Sequence, residues 1–263
     1  MPRPAAAATF KSRSRRLSDC FREAARRCRS FVGLAALIED AALELGFRHF
    51  ALLHHASLGA GTGRAGGGRL VRLDNYPPGW TEEFLARNFV RCDPVHLASR
   101  RTSRAFAWSE LGRLLRLGPE QREILRQSRR FGLGAGFTVP VNVPGEPGGS
   151  CSFAMRSGAD LVPERLLCAE LVGIHAFDAA RRLVAGRGQP ARPHLSIRQL
   201  QCLELLAAGK TDWEISRILG IGHETVRQYV KTARSAYGAV NRTQLAVLAL
   251  RDDRIRFEDL PLA

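Results

Sequence analysis

Apolar positions along the first 185 residues repeat at spacings that change from helical to strand-like and back. Leu34, Leu37 and Ile38, followed by Leu43 and Leu45, recur every three or four residues, which is typical of one face of a helix. The whole pattern predicts, in chain order, a helix over 17–46, strands over 47–58 and 70–76, short helices over 80–89, from 94, over 108–115 and over 119–131, strands over 137–143 and 151–156, and a long helix over 163–184. This order predicts a layered α+β domain with an antiparallel sheet.

Residues 195–263 have a helical pattern throughout. Capping boxes begin it at Ser196 with Gln199 and recur at Thr211 with Glu214. The pattern predicts four short helices, over 196–208, 212–219, 223–237 and 242–251. Two glycines lie in the short turn between the second and the third helix, and this is typical of a helix-turn-helix.

The third of these helices has two distinct sides. Its apolar side repeats at i, i+4, i+7 and i+11 through Val226, Val230, Ala233 and Tyr237. Its other side is basic and carries an amide, through Arg227, Gln228, Lys231 and Arg234. Such a face suits the major groove of DNA, but the solvated face of any small helix has the same composition. Periodicity alone leaves both interpretations open.

A change in composition separates the two patterns, because the segment from Ala185 to His194 contains two glycines and two prolines. The predicted organisation is a disordered basic tail over 1–16, a first domain over 17–185, a linker over 186–194 and a second domain over 195–263. About two domains also agree with the length of 263 residues.

The composition excludes several classes of protein. Hydrophobic residues make up 45% of the chain and charged residues 25%, which is too apolar for a wholly disordered protein. The longest apolar run is too short for a transmembrane helix, and the N-terminus does not resemble a secretory signal. We therefore expect a cytoplasmic protein without membrane contact. Its six cysteines include no C-x-x-C pair, so we expect reduced thiols and neither a metal site nor a cofactor.

The formal net charge of +15 favours a nucleic-acid partner. Its distribution does not locate the DNA-binding domain, however. Residues 1–30 carry nine basic and two acidic side chains, whereas residues 195–263 carry ten basic and eight acidic ones. The assignment must therefore rest on the pattern of the helices.

Two motifs that suggest other chemistry are discounted. Gly61-Thr-Gly63-Arg-Ala-Gly66 has the spacing of a dinucleotide-binding fingerprint, but a strand rather than a helix is predicted after it. It is interpreted as part of a loop over 59–68. His54 and His55 are adjacent in a predicted strand, so their side chains point to opposite faces and do not make a metal pair.

The first domain contains a cluster of aromatic residues with one acid. Trp80 and Phe84 lie one helical turn apart, and Tyr76, Asp93 and Trp108 occur nearby along the chain. Aromatic walls with a few polar groups suit a small amphiphilic ligand. An ordinary aromatic core in which Asp93 caps a helix would give the same pattern.

The second domain resembles the helix-turn-helix of LuxR-type regulators. The resemblance runs from Leu195 to Leu250 and rests on Leu195 to Gln199, Ala208 to Ile215, Leu219 to Ile221, Thr225-Val226, Asn241-Arg242 and Gln244. It implies that Arg227 and Lys231, with Gln228 beside them, face base edges. It also implies phosphate contacts for Lys210, Thr211, Thr225 and Arg242.

The first domain resembles the autoinducer-binding domain of the same family, from about Phe31 to Val184. The similarity rests on Tyr76-Pro-x-x-Trp80, Phe84, Asp93-Pro94, Trp108 and Gly136. That family binds N-acyl-homoserine lactones. The resemblance therefore implies an α/β/α sandwich around a lactone signal, followed by the all-α four-helix DNA-binding domain.

Roles for individual residues follow from the resemblance. It implies that Trp80 donates to the lactone carbonyl, that Asp93 accepts from the acyl amide and that Tyr76 donates to the amide carbonyl. It further implies that Trp108 packs on the lactone ring and that Ser152 meets the acyl chain or its 3-substituent. The family usually has Tyr where this chain has Phe84, and Glu where it has Gln199. Gln199 can still complete a capping box, whereas Phe84 removes a hydroxyl and affects ligand preference.

The resulting hypothesis is a transcription regulator that binds a two-fold-symmetric DNA site as a homodimer under the control of an acyl-homoserine lactone. The nearest alternative is a regulator of the same build that answers a different small molecule or none. A lactone-modifying enzyme lacks support, because the sequence offers no Ser/His/Asp set or metal-ligand cluster. A phosphorylation receiver lacks support too, because regular βα alternation is missing.

Overall fold

The computed structural model describes residues 4–55, 71–143, 148–158, 161–185 and 193–261. The predicted 59–68 loop with its glycine motif lies outside these residues, as does most of the predicted linker, over 186–192. Residues Met1–Asn142 and Pro147–Gln189 form one compact unit, and a second unit contains Pro190–Ala263. The helices that the structure describes include none long and apolar enough to cross a membrane.

Two helices begin the first unit, α1 (Pro4–Arg27) and α2 (Phe31–Glu44). The expected disordered tail over 1–16 is wrong from Pro4 onwards, and the single helix expected over 17–46 is interrupted. The interruption is at Ser30, whose backbone is extended and whose hydroxyl accepts a hydrogen bond from the N–H of Gly33 at 3.0 Å. Serine is stabilising as an N-cap and mediocre inside a helix, so α2 begins anew there.

The sheet consists of β1 (His49–His54), β2 (Arg72–Asp74), β3 (Phe106–Ala107), β4 (Ala135–Val141) and β5 (Gly149–Met155). Its order is β2-β1-β5-β4-β3, and every neighbouring pair is antiparallel. Four strands confirm predicted segments: β1 and β2 lie within narrower bounds, and β4 and β5 each begin two residues earlier than predicted. The edge strand β3 was not predicted, since two residues are too few to show an alternating pattern.

The two faces of the sheet are covered by different layers. Along β5, Cys151, Phe153 and Met155 pack with α1, α2 and α7 (Pro163–Ala185), while Ser152 and Ala154 point to the other face. This alternation follows from the two-residue period of a strand. Both faces are buried, so the sheet is the middle layer of the first unit.

Helix α7 lies very close to the sheet. A Cβ on Gly173 would come within 3.0 Å of Val139 and 3.2 Å of Cys151. Its buried side is mostly small residues, and its large apolar residues Leu167, Leu171 and Ile174 are exposed. Small residues permit this close approach, which leaves the large ones on the outer side.

The other face of the sheet carries short helices: α3 (Pro78–Ala86), α4 (Pro94–Ser99), α5 (Leu111–Leu114) and α6 (Pro119–Arg130), with 3₁₀ turns at Phe89–Arg91 and Trp108–Glu110. Their apolar residues pack against Ala51, Leu53 and Ala154 of the sheet. The predicted α/β/α sandwich is confirmed.

The second unit contains α8 (Ile197–Ala207), α9 (Asp212–Leu219), α10 (His223–Tyr237) and α11 (Arg242–Arg251), followed by a 3₁₀ turn at Phe257–Asp259. All four predicted helices are confirmed, within one residue of the predicted bounds. Their shared core includes Leu203, Ile215, Val226 and Leu245. Gly220 ends α9 with φ of +63°, a backbone angle that favours glycine.

Candidate binding sites

A pocket lies between the sheet and the short helices of the first unit. About 700 Å³ of it is not occupied by protein atoms, counting the part that opens to solvent. All six residues that the sequence analysis selected as ligand-binding line it: Tyr76, Trp80, Phe84, Asp93, Trp108 and Ser152. The structure thus brings together side chains that lie up to 76 positions apart in the chain.

Aromatic rings form the helical wall of this pocket. The ring centroids of Trp80 and Phe84 are 5.5 Å apart, which confirms that the two residues share one face of α3. Phe131 lies 5.7 Å from Trp80, and Phe89 lies 6.0 Å from Phe84. These separations are within the range of favourable aromatic pairs. The wall is therefore large, apolar and well packed.

The sheet wall is polar and is organised by Trp108. The indole N–H of Trp108 donates to the Thr138 hydroxyl at 2.9 Å, and that hydroxyl lies 2.9 Å from the hydroxyl of Ser152. Trp108 packs on Gly136 so closely that a Cβ there would come within 2.5 Å of the indole ring. The glycine is therefore needed for the indole to approach the sheet this closely.

Asp93 is the buried acid of the pocket. It precedes α4, which starts with Pro94, and its Oδ1 accepts a hydrogen bond from the Val95 N–H at 3.0 Å. Burial raises the pKa of Asp93 to about 7, and the N–H groups of Val95 and His96 partly oppose this rise. Burial also raises the pKa of the Tyr76 phenol, and the nearby carboxylate of Asp93 raises it further.

Sequence reasoning missed several polar residues at and around this site, among them His96 and Thr138. His96 lines the pocket, and its Nδ1 lies 3.2 Å from Oδ2 of Asp93. Its position three residues after Asp93 on a helix was a usable signal, because residues at that spacing share a face. Thr138 could be found only from the pairing of β4 with β5, which places it opposite Ser152.

The adjacent histidines His54 and His55 point to opposite faces, as strand geometry predicts. The ring of His54 packs on Phe177 of α7 at 5.0 Å, whereas that of His55 packs on His96 at 4.7 Å. Within the described part of the chain, no group of three or more His, Cys, Asp or Glu side chains is placed to hold a metal ion.

The candidate nucleic-acid face lies on α10 of the second unit. Val226, Val230 and Ala233 are buried in the core. Thr225, Arg227, Gln228 and Lys231 are all exposed on the same helix. The helix therefore combines a packed apolar side with a polar outer side, as the sequence predicted.

The remaining residues selected for DNA contact lie at the start of α9 and α11. Thr211 is exposed and caps α9, with its hydroxyl accepting from the Glu214 N–H at 3.3 Å. Arg242 donates to the carbonyl oxygen of Lys210 at 2.7 Å and lies 3.5 Å from Asp212. Arg242 therefore also fixes the start of α11 against that of α9.

Two family models match this chain. The model described as "Autoinducer binding domain" matches residues 31–180, and the one described as "Bacterial regulatory proteins, luxR family" matches residues 193–249. The chain belongs to the LuxR family of bacterial transcription regulators. It is therefore a quorum-sensing regulator that binds DNA, and its family is not one of enzymes.

Relatives in the LuxR family resemble it over most of its length. The quorum sensing-dependent regulator RpaR of Rhodopseudomonas palustris is 31% identical over 73% of this chain and 78% of its own. The activator BjaR1 of Bradyrhizobium diazoefficiens is 30% identical over 70% of this chain and 75% of its own. The crystal structure of Escherichia coli SdiA has a TM-score of 0.67 at 25% identity, covering 93% of this chain and 98% of SdiA.

The capping box at the start of α8 is intact, although this chain has Gln199 where the LuxR family usually has Glu. The Ser196 hydroxyl accepts from the Gln199 N–H at 3.3 Å, and the Gln199 side-chain oxygen accepts from the Ser196 N–H at 2.8 Å. The prediction that glutamine can complete this cap is confirmed. The substitution leaves the start of α8 intact.

Proposed function

We propose that the signal of this regulator is an N-acyl-homoserine lactone held in the pocket of the first unit. In this proposal the indole of Trp80 donates to the lactone carbonyl, Asp93 accepts from the amide N–H, and Tyr76 donates to the amide carbonyl. Trp108 packs on the lactone ring, and Ser152 meets the acyl chain or its 3-substituent. These roles come from the family resemblance.

One observation carries the proposal: the six residues selected from the sequence all line the same pocket. An enclosed amide needs a donor and an acceptor, because an unsatisfied buried polar group costs about 1–3 kcal/mol. Tyr76 and Asp93 supply one of each, and the aromatic wall supplies apolar area for an acyl chain. The chemistry of the pocket is therefore complementary to an acylated lactone.

A different acyl-bearing small molecule is the second candidate. Phe84 is buried in the aromatic wall and cannot donate a hydrogen bond, in contrast to the Tyr usual in the family. SdiA, which shares the fold at 24% identity, has been solved in complex with octanoyl-rac-glycerol. An acylglycerol is therefore included in the test of the ligand.

Thermal unfolding of the whole chain tests the ligand class. We expect lactones of suitable chain length to raise the melting temperature in proportion to log concentration, and Trp80→Ala and Asp93→Ala to abolish the rise. Trp213→Ala and Asp178→Ala are matched controls, since Trp213 is exposed in the second unit and Asp178 is exposed on α7. A response to octanoylglycerol but to no lactone would overturn the proposed signal, and so would an undiminished response in the pocket variants.

We further propose that the regulator acts on DNA as a homodimer at a two-fold-symmetric site. Symmetric half-sites are read by symmetric proteins, with one recognition helix in each major groove. Arg227, Gln228 and Lys231 of α10 would face base edges, whereas Lys210, Thr211, Thr225 and Arg242 would contact phosphates. Because its partner is DNA, we also propose that it works in the cytoplasm.

The exposed row on α7 supports pairing of the first units. Leu167 is 68% exposed, and Leu171 and Ile174, at i+4 and i+7 from it, are more than 40% exposed. An apolar row of this kind on an ordered helix suits an interface with a second copy. We propose that signal binding completes the core of the first unit and shifts the population towards the dimer that binds DNA.

A further inference from the structure

The imidazole of His96 forms part of the wall of the signal pocket. It follows Asp93 by three residues on α4, so both side chains lie on the same side of that helix. The side chain of His96 is 13% exposed. Its ring meets the edge of Phe84 at a centroid distance of 5.9 Å and an interplanar angle of 75°. A polar ring is thus set at the margin of the aromatic wall.

A second imidazole holds this ring in place. The rings of His55 and His96 are 4.7 Å apart at an angle of 30°. His55 in turn has its Nε2 3.0 Å from the Ser150 hydroxyl, which belongs to β5. His96 is therefore fixed between Phe84, Asp93 and a histidine tied to the sheet, and this arrangement preorganises it for a ligand.

Both imidazoles are neutral near pH 7. Burial lowers the pKa of His96 to about 4 and that of His55 to about 3, and His96 and Arg100 reinforce the effect on His55. A neutral imidazole has one N–H and one lone pair to satisfy. The Nδ1 atom of His96 is buried against the Asp93 carboxyl group, 3.2 Å from its Oδ2, whereas the Nε2 atom of His96 has no hydrogen-bond partner among the residues described. Native proteins rarely leave a polar ring atom at such a site unpaired, and His96 lines the pocket, so a ligand group is the natural partner of its Nε2 atom.

We propose that His96 selects a signal whose acyl chain carries an oxygen substituent near the amide, by hydrogen bonding to that oxygen. This inference rests on the proposed lactone function. The amide is placed by Asp93, whose Oδ2 is 3.2 Å from Nδ1 of His96, so a substituent that reaches the imidazole lies within a few bonds of the amide. A plain alkyl chain would instead place methylene groups against a polar ring.

Binding of three lactones of equal chain length tests the proposal: unsubstituted, 3-oxo and 3-hydroxy. Calorimetric titration of the whole chain should give at least tenfold tighter binding for one oxygenated lactone than for the unsubstituted one. His96→Leu should reduce this ratio to below threefold, and His96→Gln should restore part of it. His194→Leu is the matched control, because His194 is exposed and lies in the second unit.

A spectroscopic measurement on the wild type provides a second test that does not depend on the folding of His96→Leu. In a protein labelled with ¹⁵N-histidine, the ring resonance that disappears in His96→Gln should shift on addition of the preferred oxygenated lactone. The shift should be clearly larger than the one caused by the unsubstituted lactone, whose methylene groups cannot form a hydrogen bond with the ring.

The possible outcomes distinguish a failure of this inference from a failure of the proposed lactone function. Lactones that bind with the same ratio to the wild type and to His96→Leu would overturn the role of His96 alone. An unsubstituted lactone that binds the wild type as tightly as the oxygenated ones would do the same. If no lactone binds the wild type, the proposed signal fails and the inference fails with it.

Discussion

Asp93 combines two tasks that usually fall to different residues. It caps α4 through its contact with the Val95 N–H, and it places a carboxyl group in the buried pocket. A cap favours the charged carboxylate, whereas burial disfavours it, and burial has the larger effect on the pKa. The same carboxyl therefore changes its charge near neutral pH.

This charge change predicts a pH-dependent stability. The pKa of Asp93 rises from 3.8 in the unfolded chain to about 7 in the folded one, so the native state binds the proton more tightly. The stabilisation of the native state by this tighter proton binding is fully present below about pH 4. It is lost as the pH rises through about 7, which lowers the free energy of unfolding by up to about 4 kcal/mol. We expect the free energy of unfolding of the wild type, minus that of Asp93→Asn, to fall over this range in urea titrations. A flat difference would contradict the buried acid.

The subtraction is needed because His55 and His96 have the opposite effect. Their pKa values are lowered in the folded state, so their contribution increases as the pH rises towards 6.5. Asparagine retains the N-cap, which keeps α4 intact in the variant.

A glycine sets the position of Trp108 in the pocket. A side chain on Gly136 would collide with the indole, so we expect Gly136→Ala to displace it and to break its hydrogen bond to Thr138. Overpacking of this kind costs about 1–3 kcal/mol. Urea denaturation followed by tryptophan fluorescence measures both effects. Gly112→Ala on α5 is the control, because a Cβ there meets no atom within 4 Å.

At the scale of elements, the two sides of α10 have different roles, one in folding and one in DNA recognition. Its buried side joins the core of the second unit, and its exposed side carries the side chains proposed to contact DNA. Arg227 is paired with Glu224 at 3.1 Å, but both side chains are well exposed, so this ion pair is weak and readily exchanged for a base.

Substitution of Arg227 should therefore change recognition without unfolding the helix. We expect Arg227→Ala to lose preference for the operator by about 10- to 100-fold in a competition gel shift, since a bidentate base contact contributes about 1–3 kcal/mol. The circular dichroism spectrum should not change. Arg198→Ala on α8 is the control, and equal operator preference in both variants would refute the assignment.

Elements with local signals were predictable from the sequence, and those fixed by distant contacts were not. The helices of the second unit begin at caps such as Thr211 and Asn241, whose signals lie within three residues of the helix start. By contrast, the outward side of α7 depends on how closely the sheet approaches Gly173. Within the pocket, Trp80 and Phe84 followed from helical spacing, whereas Thr138 required the register of β4 with β5.

At the scale of the whole molecule, signal binding and folding are linked. A ligand that binds only the native state adds about 2.7 kcal/mol of stability at one hundred times its Kd. We expect the soluble yield of the chain in cells to increase several-fold when the cognate lactone is supplied. Trp80→Ala should show the low yield with and without lactone, whereas Trp213→Ala should respond like the wild type.

Pairing of two copies should depend on the exposed row of α7. We expect Leu171→Arg to shift the protein to monomer in sedimentation velocity, because it places a charge in the proposed apolar interface. Leu43→Arg on α2 is the control, since Leu43 is 55% exposed in the same unit but outside the row. A dimer that persists in Leu171→Arg would exclude this face.

The close approach of Gly173 to Val139 and Cys151 has a consequence for how the ligand preference of such receptors can change. Because α7 packs directly on this face, the sheet cannot move away from the pocket to accommodate a bulkier ligand. Additional pocket volume must therefore come from the opposite wall. There the side chains of short helices joined by turns can be substituted one at a time. Divergence in signal preference among such receptors should accordingly concentrate in α3, α4 and α6 and spare the strands.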